Sequence, residues 1–257
     1  MKTNFKALLV EKKPLIGTLV SWPFPETAEI AADAGFDWLF LDWEHGLHGT
    51  RSLQQIVQTV GKRSACIVRV PDNQAVWISK ALDTGAAGLI IPHVDSEEDA
   101  RKAVLSAKYP PQGTRSIGVA RAQGYGHDVR RSVEEDNLRT VLVAQVEHIK
   151  GVRDIEKIVT VPGLDAVFIG PFDLSASMNK PGRIADEDVR QAIENVRTTC
   201  VRRGMPSGIF APDVEAAKKA LSEGYSLVCV GTDAMVYASA MRNLGSRLHS
   251  TDKKWKM

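Results

Sequence analysis

The chain has 257 residues, 44% of them hydrophobic, with 33 basic and 31 acidic side chains and a net charge of +2. That is enough apolar material for one sizeable core, in the length range where an α/β barrel forms a single domain, here 1–257. So balanced a charge argues against nucleic acid or an acidic membrane surface as the main partner.

The N-terminal "MKTNFKALLVEKKP" is too charged, and too short in its apolar part, for a signal peptide. No apolar run approaches the ~20 residues of a membrane span. The three cysteines, Cys66, Cys200 and Cys229, are far apart and form no CxxC spacing. An odd count without a framework points to a reducing compartment, so the expected location is cytoplasmic. The basic tail, Lys253, Lys254 and Lys256 around Trp255, reads as a solvated end.

Eight short apolar runs read as strands: 15–22, 37–44, 65–70, 87–94, 141–147, 164–171, 206–211 and 225–231. They are nearly continuously apolar rather than alternating, which suits a parallel sheet covered on both faces. Helical spacing fills the gaps. "PETAEIAADAGF" stops at Gly35, and "DSEEDARKAVLSAKY" opens with a capping residue and acids in its first turn. "DEDVRQAIENVRTTCVRRG" and "APDVEAAKKALSEG" repeat the pattern and close on glycine. Eight βα units in this length predict a (β/α)8 TIM barrel, with a doubly wound open sheet as the alternative. Residues 110–139, rich in Gly, Pro and Arg, break the rhythm. They are expected to form a loop with a short helix, over the barrel mouth or at a subunit contact.

Barrel enzymes act at the C-terminal ends of their strands. There the second strand delivers "DWEHGLHG", with Asp42, Glu44, His45 and His48. The third carries Arg69 in an apolar run, the fourth His93, the fifth Gln145, Glu147 and His148, and the sixth Gly170 and Asp173. Glu147 and Asp173 fall at matching places on consecutive strands, so they are expected to converge, and two carboxylates do so only around a proton or a cation. Oxygen ligands with open positions suit a hard divalent ion such as Mg²⁺ or Mn²⁺; a salt-bridged pair of rim acids is the plainer alternative. Arg69 must be paired in such a place, either with Asp42 or Glu44 or with an anionic substrate. His45 is the candidate general base, with Asp42 placed to orient it. His48, His93, His127 and His148 lack such a constellation, His93 being the most open case.

The motifs "LDWEHG", "VRVP", "ALDTGAAGLIIPHV", "KYPPQGTRSIG", "AQVEH" and "FIGPFDLSASM" occur in that order. Together they closely resemble the HpcH/HpaI class II pyruvate aldolases, over nearly the whole chain. The resemblance implies a barrel that binds pyruvate on a divalent metal ion (Mg²⁺, Mn²⁺ or Co²⁺) and joins it to, or cleaves it from, an aldehyde. It implies that Glu147 and Asp173 are metal ligands, that Arg69 contacts the substrate carbonyl and enolate oxygen, that His45 is the base and Asp42 its acidic companion. Gln145, Gly170, Pro171, Asp173 and Leu174 would hold pyruvate, partly through backbone amides, and Asp83 would be an acid used at a subunit interface. Relatives exchange their last helix and assemble as hexamers, trimers of dimers, so a homo-oligomer is implied here.

The departures are Ser116, where many relatives have glycine, and Trp22 and Phe24 after the first strand, so the aldehyde is not carried over. A decarboxylase of the oxaloacetate type, using the same metal and arginine, is the second enzyme reading; a non-catalytic binding barrel is the third. No lysine stands at a strand end, since Lys80, Lys102 and Lys108 lie in helical patterns. That separates this chemistry from the Schiff-base kind.

Overall fold

A computed structural model describes residues 5–11, 13–127 and 129–251; the basic tail lies outside them. Eight parallel strands close into one barrel in chain order. They are β1 (Leu15–Val20), β2 (Trp38–Asp42), β3 (Ala65–Arg69), β4 (Gly88–Ile91), β5 (Val141–Val146), β6 (Ala166–Ile169), β7 (Ser207–Ala211) and β8 (Leu227–Thr232). The expected barrel is therefore the observed one, and the open sheet is set aside. Every predicted strand is present, most of them trimmed at one or both ends, because the polar residues that follow each apolar run leave the ladder.

Side chains alternate between the two faces of each strand. Trp38 and Phe40 of β2, Ile67 of β3, Ile90 of β4, Val143 of β5, Phe168 of β6 and Cys229 of β8 point inward and fill the barrel. Their neighbours Leu39, Leu41, Val68, Leu89, Leu142 and Val167 point outward, against the helices. The interior is an aromatic stack: Phe40 and Phe168 meet edge-on at 5.6 Å, and Trp38 lies 6.0 Å from Phe40. Trp38 passes so close to Gly17 that a Cβ there would lie 2.5 Å from the indole, which is why β1 carries glycine at its third position.

The N-terminal helix Phe5–Val10 is a plug. Phe5 and Leu9 are buried in the inner cluster, with Phe5 6.4 Å from Trp38. The strand-start end of the barrel interior is thus filled with apolar side chains.

The outer helices follow the sequence expectation closely. Pro25–Asp33 ends before Gly35 (φ +92°), Glu97–Ala107 is capped by Ser96 accepting from the Asp99 amide, and Glu187–Arg203 closes on Gly204 (φ +68°). The 110–139 segment does differ. It holds a 3-10 turn, Gly124–Gly126, and an eleven-residue helix, Val129–Arg139, and it lies at the strand-start end. Arg115 donates to Asp83, Arg121 donates to the Thr84 carbonyl, and Lys108 donates to the Thr140 carbonyl just before β5. This corrects the expected position over the barrel's own mouth. A segment between a helix and the following strand in a βα barrel must sit at that end.

Candidate active site

Continuing the inward columns of β2, β3 and β5 past the aromatic layer brings Asp42, Arg69 and Gln145 to the open end. Asp42 and Arg69 are register partners. The guanidinium grips the carboxylate with two prongs, Nε to Oδ1 at 2.9 Å and Nη2 to Oδ2 at 2.7 Å, and stands 5.2 Å over the Phe40 ring. Its third nitrogen, Nη1, lies 3.1 Å from Glu44 Oε2. Burial alone would raise the Asp42 carboxyl; the Arg69 fork more than reverses that and holds it below the usual carboxylate range.

A group whose pKa is depressed on folding contributes stability above its unfolded value, near 3.8, and loses it as pH falls through the folded value. Urea unfolding between about pH 5 and pH 2 should therefore show a steeper acid decline in the wild type than in Asp42→Asn. Parallel curves would remove Asp42 from this linkage.

Next to Arg69 the polar chain continues. Glu44 Oε1 lies 3.2 Å from His93 Nε2, and His93 Nδ1 lies 3.3 Å from Glu147 Oε1. The His93 amide donates to Glu147 Oε1 at 2.9 Å, and Gln145 Nε2 donates to Glu147 Oε2. Glu147 is only 3% exposed. Burial raises the Glu44 carboxyl; Arg69 opposes this, Glu147 adds to it, and the carboxyl ends above its ordinary range.

Two carboxylates in one buried cluster call for a cation. Glu44, His93 and Glu147 can each offer one ligand atom, all within 4.8 Å of one another. Buried Glu44 Oε2 and Gln145 Oε1 receive no hydrogen bond. Glu44 Oε2 still has its ion pair with Arg69, but the orphaned Gln145 Oε1 and the oxygen-rich donor set fit a divalent ion.

Gly170, just after β6, is part of the same construction. A Cβ there would stand 2.9 Å from Glu147 Cβ and 3.1 Å from its Oε2. Gly170→Ala should push the carboxylate out of place, weakening metal binding and costing about 1–3 kcal/mol of stability. Calorimetric titration with Mn²⁺ on the folded variant checks this, and undiminished affinity would count against it.

Beside this cluster lies a cavity of about 150 Å³ lined by Arg69, Gln145, Gly170, Pro171, Asp173 and apolar walls that include Leu19, Phe40 and Phe210. Asp173, exposed on the short helix Pro171–Ser177, lines that cavity, and the three residues whose donor atoms lie within 4.8 Å of one another do not include it. Leu174 behaves otherwise than expected. Its side chain is buried in the outer core, and its amide donates to the Gly170 carbonyl at 3.0 Å, which leaves that amide spent within the helix.

His45 stands at the opening with a 67% exposed side chain, 3.8 Å from Glu44. Asp42 does not orient its ring. It accepts instead from the backbone amides of Glu44 and His45 at 3.2 Å, the local turn that a short acidic side chain makes. The turn needs Gly46, where a Cβ would fall 2.1 Å from the Asp42 carbonyl oxygen. His48 is structural. It is buried, its Nε2 donates to the Val20 carbonyl at 2.9 Å, and burial pushes its pKa down.

Asp83 ends the helix Ala75–Asp83, at the strand-start end, where it accepts from Arg115 and Gln123. Within one chain it is not brought to the cluster. Conversely, sequence reasoning did not place Glu44 or His93 in the cluster. Their signal was polar residues just beyond two adjacent strands.

Residues 20–240 match the HpcH/HpaI aldolase/citrate lyase family model. The chain belongs to this family. It is 35% identical over 242 residues to a 5-keto-4-deoxy-D-glucarate aldolase of Shigella dysenteriae, covering 94% of each chain. A family protein of Burkholderia cenocepacia has a similar structure, at 32% identity and TM-score 0.92, over 96% of this chain and 100% of that one. The citrate synthase SbnG is also similar, at 26% identity and TM-score 0.83, with 98% of both chains covered. As a member of the HpcH/HpaI family, the protein is a carbon–carbon lyase of the aldolase type.

Proposed function

We propose that the protein is a metal-dependent aldolase that makes or breaks the carbon–carbon bond between pyruvate, reacting as its enolate, and an aldehyde, and so acts on 4-hydroxy-2-oxo acids. The observation that carries this reading is the polar line Asp42–Arg69–Glu44–His93–Glu147, buried except at His93, against a small cavity. The cavity is smaller than a typical ligand pocket, which suits a three-carbon oxo acid.

Glu147 and Asp173 would hold the ion (Mg²⁺, Mn²⁺ or Co²⁺), and a divalent ion there supplies Lewis-acid polarisation of a ketone oxygen. Arg69, made rigid by its fork on Asp42, presents its charge to the oxygen where negative charge develops. Gln145 and the Gly170–Asp173 segment wall the acid in. His45, exposed at the mouth, would move the proton at the reacting carbon.

The remaining parts need a second copy. Asp83 and the 110–139 segment lie at the wrong end of their own barrel, so only a neighbour's could complete a site. The helix Asp233–Thr251 exposes Met235, Val236, Tyr237, Met241, Leu244 and Leu248, a face suited to exchange in a hexamer built as a trimer of dimers. Three buried free cysteines support a cytoplasmic setting, and among the described residues no helix is long and apolar enough to cross a membrane.

The test is pyruvate release. Metal-stripped protein should release none from 5-keto-4-deoxy-D-glucarate or from hydroxy-oxo acids of other lengths and charges, and Mn²⁺ should restore release. Oxaloacetate belongs in the same screen. Release that survives chelation would overturn the reading.

A further inference from the structure

His93 is the residue of the cluster for which the proposed chemistry has no role, and its backbone is unusual. It follows Pro92 at the end of β4 and adopts φ +53°. For a side-chain-bearing residue this left-handed conformation is strained and persists only where the surroundings impose it. Two things result from the bend. The His93 amide points at Glu147 Oε1, and the imidazole is laid between two carboxylates, with Nδ1 toward Glu147 and Nε2 toward Glu44.

The oxygens that face the ring, Glu44 Oε1 and Glu147 Oε1, have partners, but other oxygens of the same cluster do not all receive a hydrogen bond. Glu44 has a side chain only 9% exposed, and its Oε2 receives no hydrogen bond although Arg69 Nη1 is close. Gln145 Oε1, equally buried, is also without a donor. The imidazole itself is 61% exposed toward the opening. The arrangement is thus a nitrogen donor on the solvent side of two buried oxygen donors.

We propose that His93 is a nitrogen ligand of the ion that Glu147 and Asp173 are proposed to hold, on the side where Glu44 also faces the ring, and that it tilts the site toward later first-row ions. This rests on the proposed metal dependence. The chemical reason is ligand preference: carboxylate and water alone suit Mg²⁺, whereas an imidazole raises affinity along the order Mn²⁺, Fe²⁺, Co²⁺. Asp173, which lines the adjacent cavity, is the further oxygen donor that the proposed function assigns.

The variant that isolates the ring is His93→Gly. Glycine takes a positive φ without strain, so the hydrogen bond from the backbone N–H of residue 93 to Glu147 Oε1 is kept while the imidazole is removed. Apo protein is titrated calorimetrically with Mg²⁺, Mn²⁺ and Co²⁺, and Mn²⁺-loaded protein is examined by electron spin-echo modulation for directly bound ¹⁴N. Wild type should prefer Co²⁺ to Mg²⁺ and show nitrogen modulation. His93→Gly should lose the modulation and at least about tenfold in Co²⁺ affinity, the size of effect that even outer-shell partners produce, while Mg²⁺ affinity changes less. His45→Ala should keep the modulation, which assigns the nitrogen to position 93. If wild type binds ions without nitrogen modulation, or His93→Gly leaves the Co²⁺/Mg²⁺ ratio unchanged, His93 is only a hydrogen-bonding bridge and the inference falls, with the metal-dependent reading intact. If wild type binds no divalent ion, that reading fails and takes this inference with it.

Discussion

Arg69→Met is expected to lower stability by about 3–5 kcal/mol, the cost of leaving buried charges without their partner. Arg69 is itself buried and serves two acids, Asp42 through two hydrogen bonds and Glu44 at 3.1 Å. Removing it strands the first and leaves Glu44 facing Glu147 without a cation. For a chain of this length about 2–4 °C of midpoint accompanies each kcal/mol, so the melting temperature should fall by roughly 6–20 °C. Pyruvate release should vanish as well, because among the described residues no other cationic side chain lines the cavity. Arg69→Lys should recover little, since a point charge cannot replace a planar fork. Thermal unfolding of the three proteins checks this. A methionine variant as stable as the wild type would mean that the acids are neutralised some other way.

Glu147→Gln should give the opposite signature. Its carboxylate sits near Glu44 and helps to raise that neighbour's pKa, so a neutral amide relieves repulsion in the cluster. Stability should hold or rise. Divalent-ion affinity should fall sharply, and with it activity by about 10³-fold, the several kcal/mol that Lewis-acid stabilisation supplies. A calorimetric metal titration beside a melting curve separates the two effects. If the midpoint drops together with activity, Glu147 is holding the fold rather than an ion.

The barrel was legible because its signals are local. Near-continuous apolar runs such as "ACIVRV", helices closing on Gly35 and Gly204, and acids at the start of Glu97–Ala107 each state their own conformation. Much of the rim was legible too, since strand alternation alone carries Asp42, Arg69 and Gln145 to the open end. What stayed hidden depends on turns. Glu44 comes beside Arg69 only because Asp42 bends the chain by capping two amides, and His93 meets Glu147 only through a left-handed residue. No propensity scale announces a positive φ at a histidine. The helix Val129–Arg139 buries none of its residues, so it offers no apolar stripe to read. The position of that segment could have been deduced from connectivity, and its composition concealed it.

The plug formed by Phe5–Val10 also has a bearing on kinetics. With the floor filled by Phe5 and Leu9 against the aromatic stack, the cavity against Phe40 and Arg69 lies at the opposite end, which serves both arrivals and departures. On the proposed reading, the acid lodged against Phe40 and Arg69 would go in before its reaction partner and come out after it. Turnover would then follow a compulsory sequence, with the small oxo acid first to enter and last to leave.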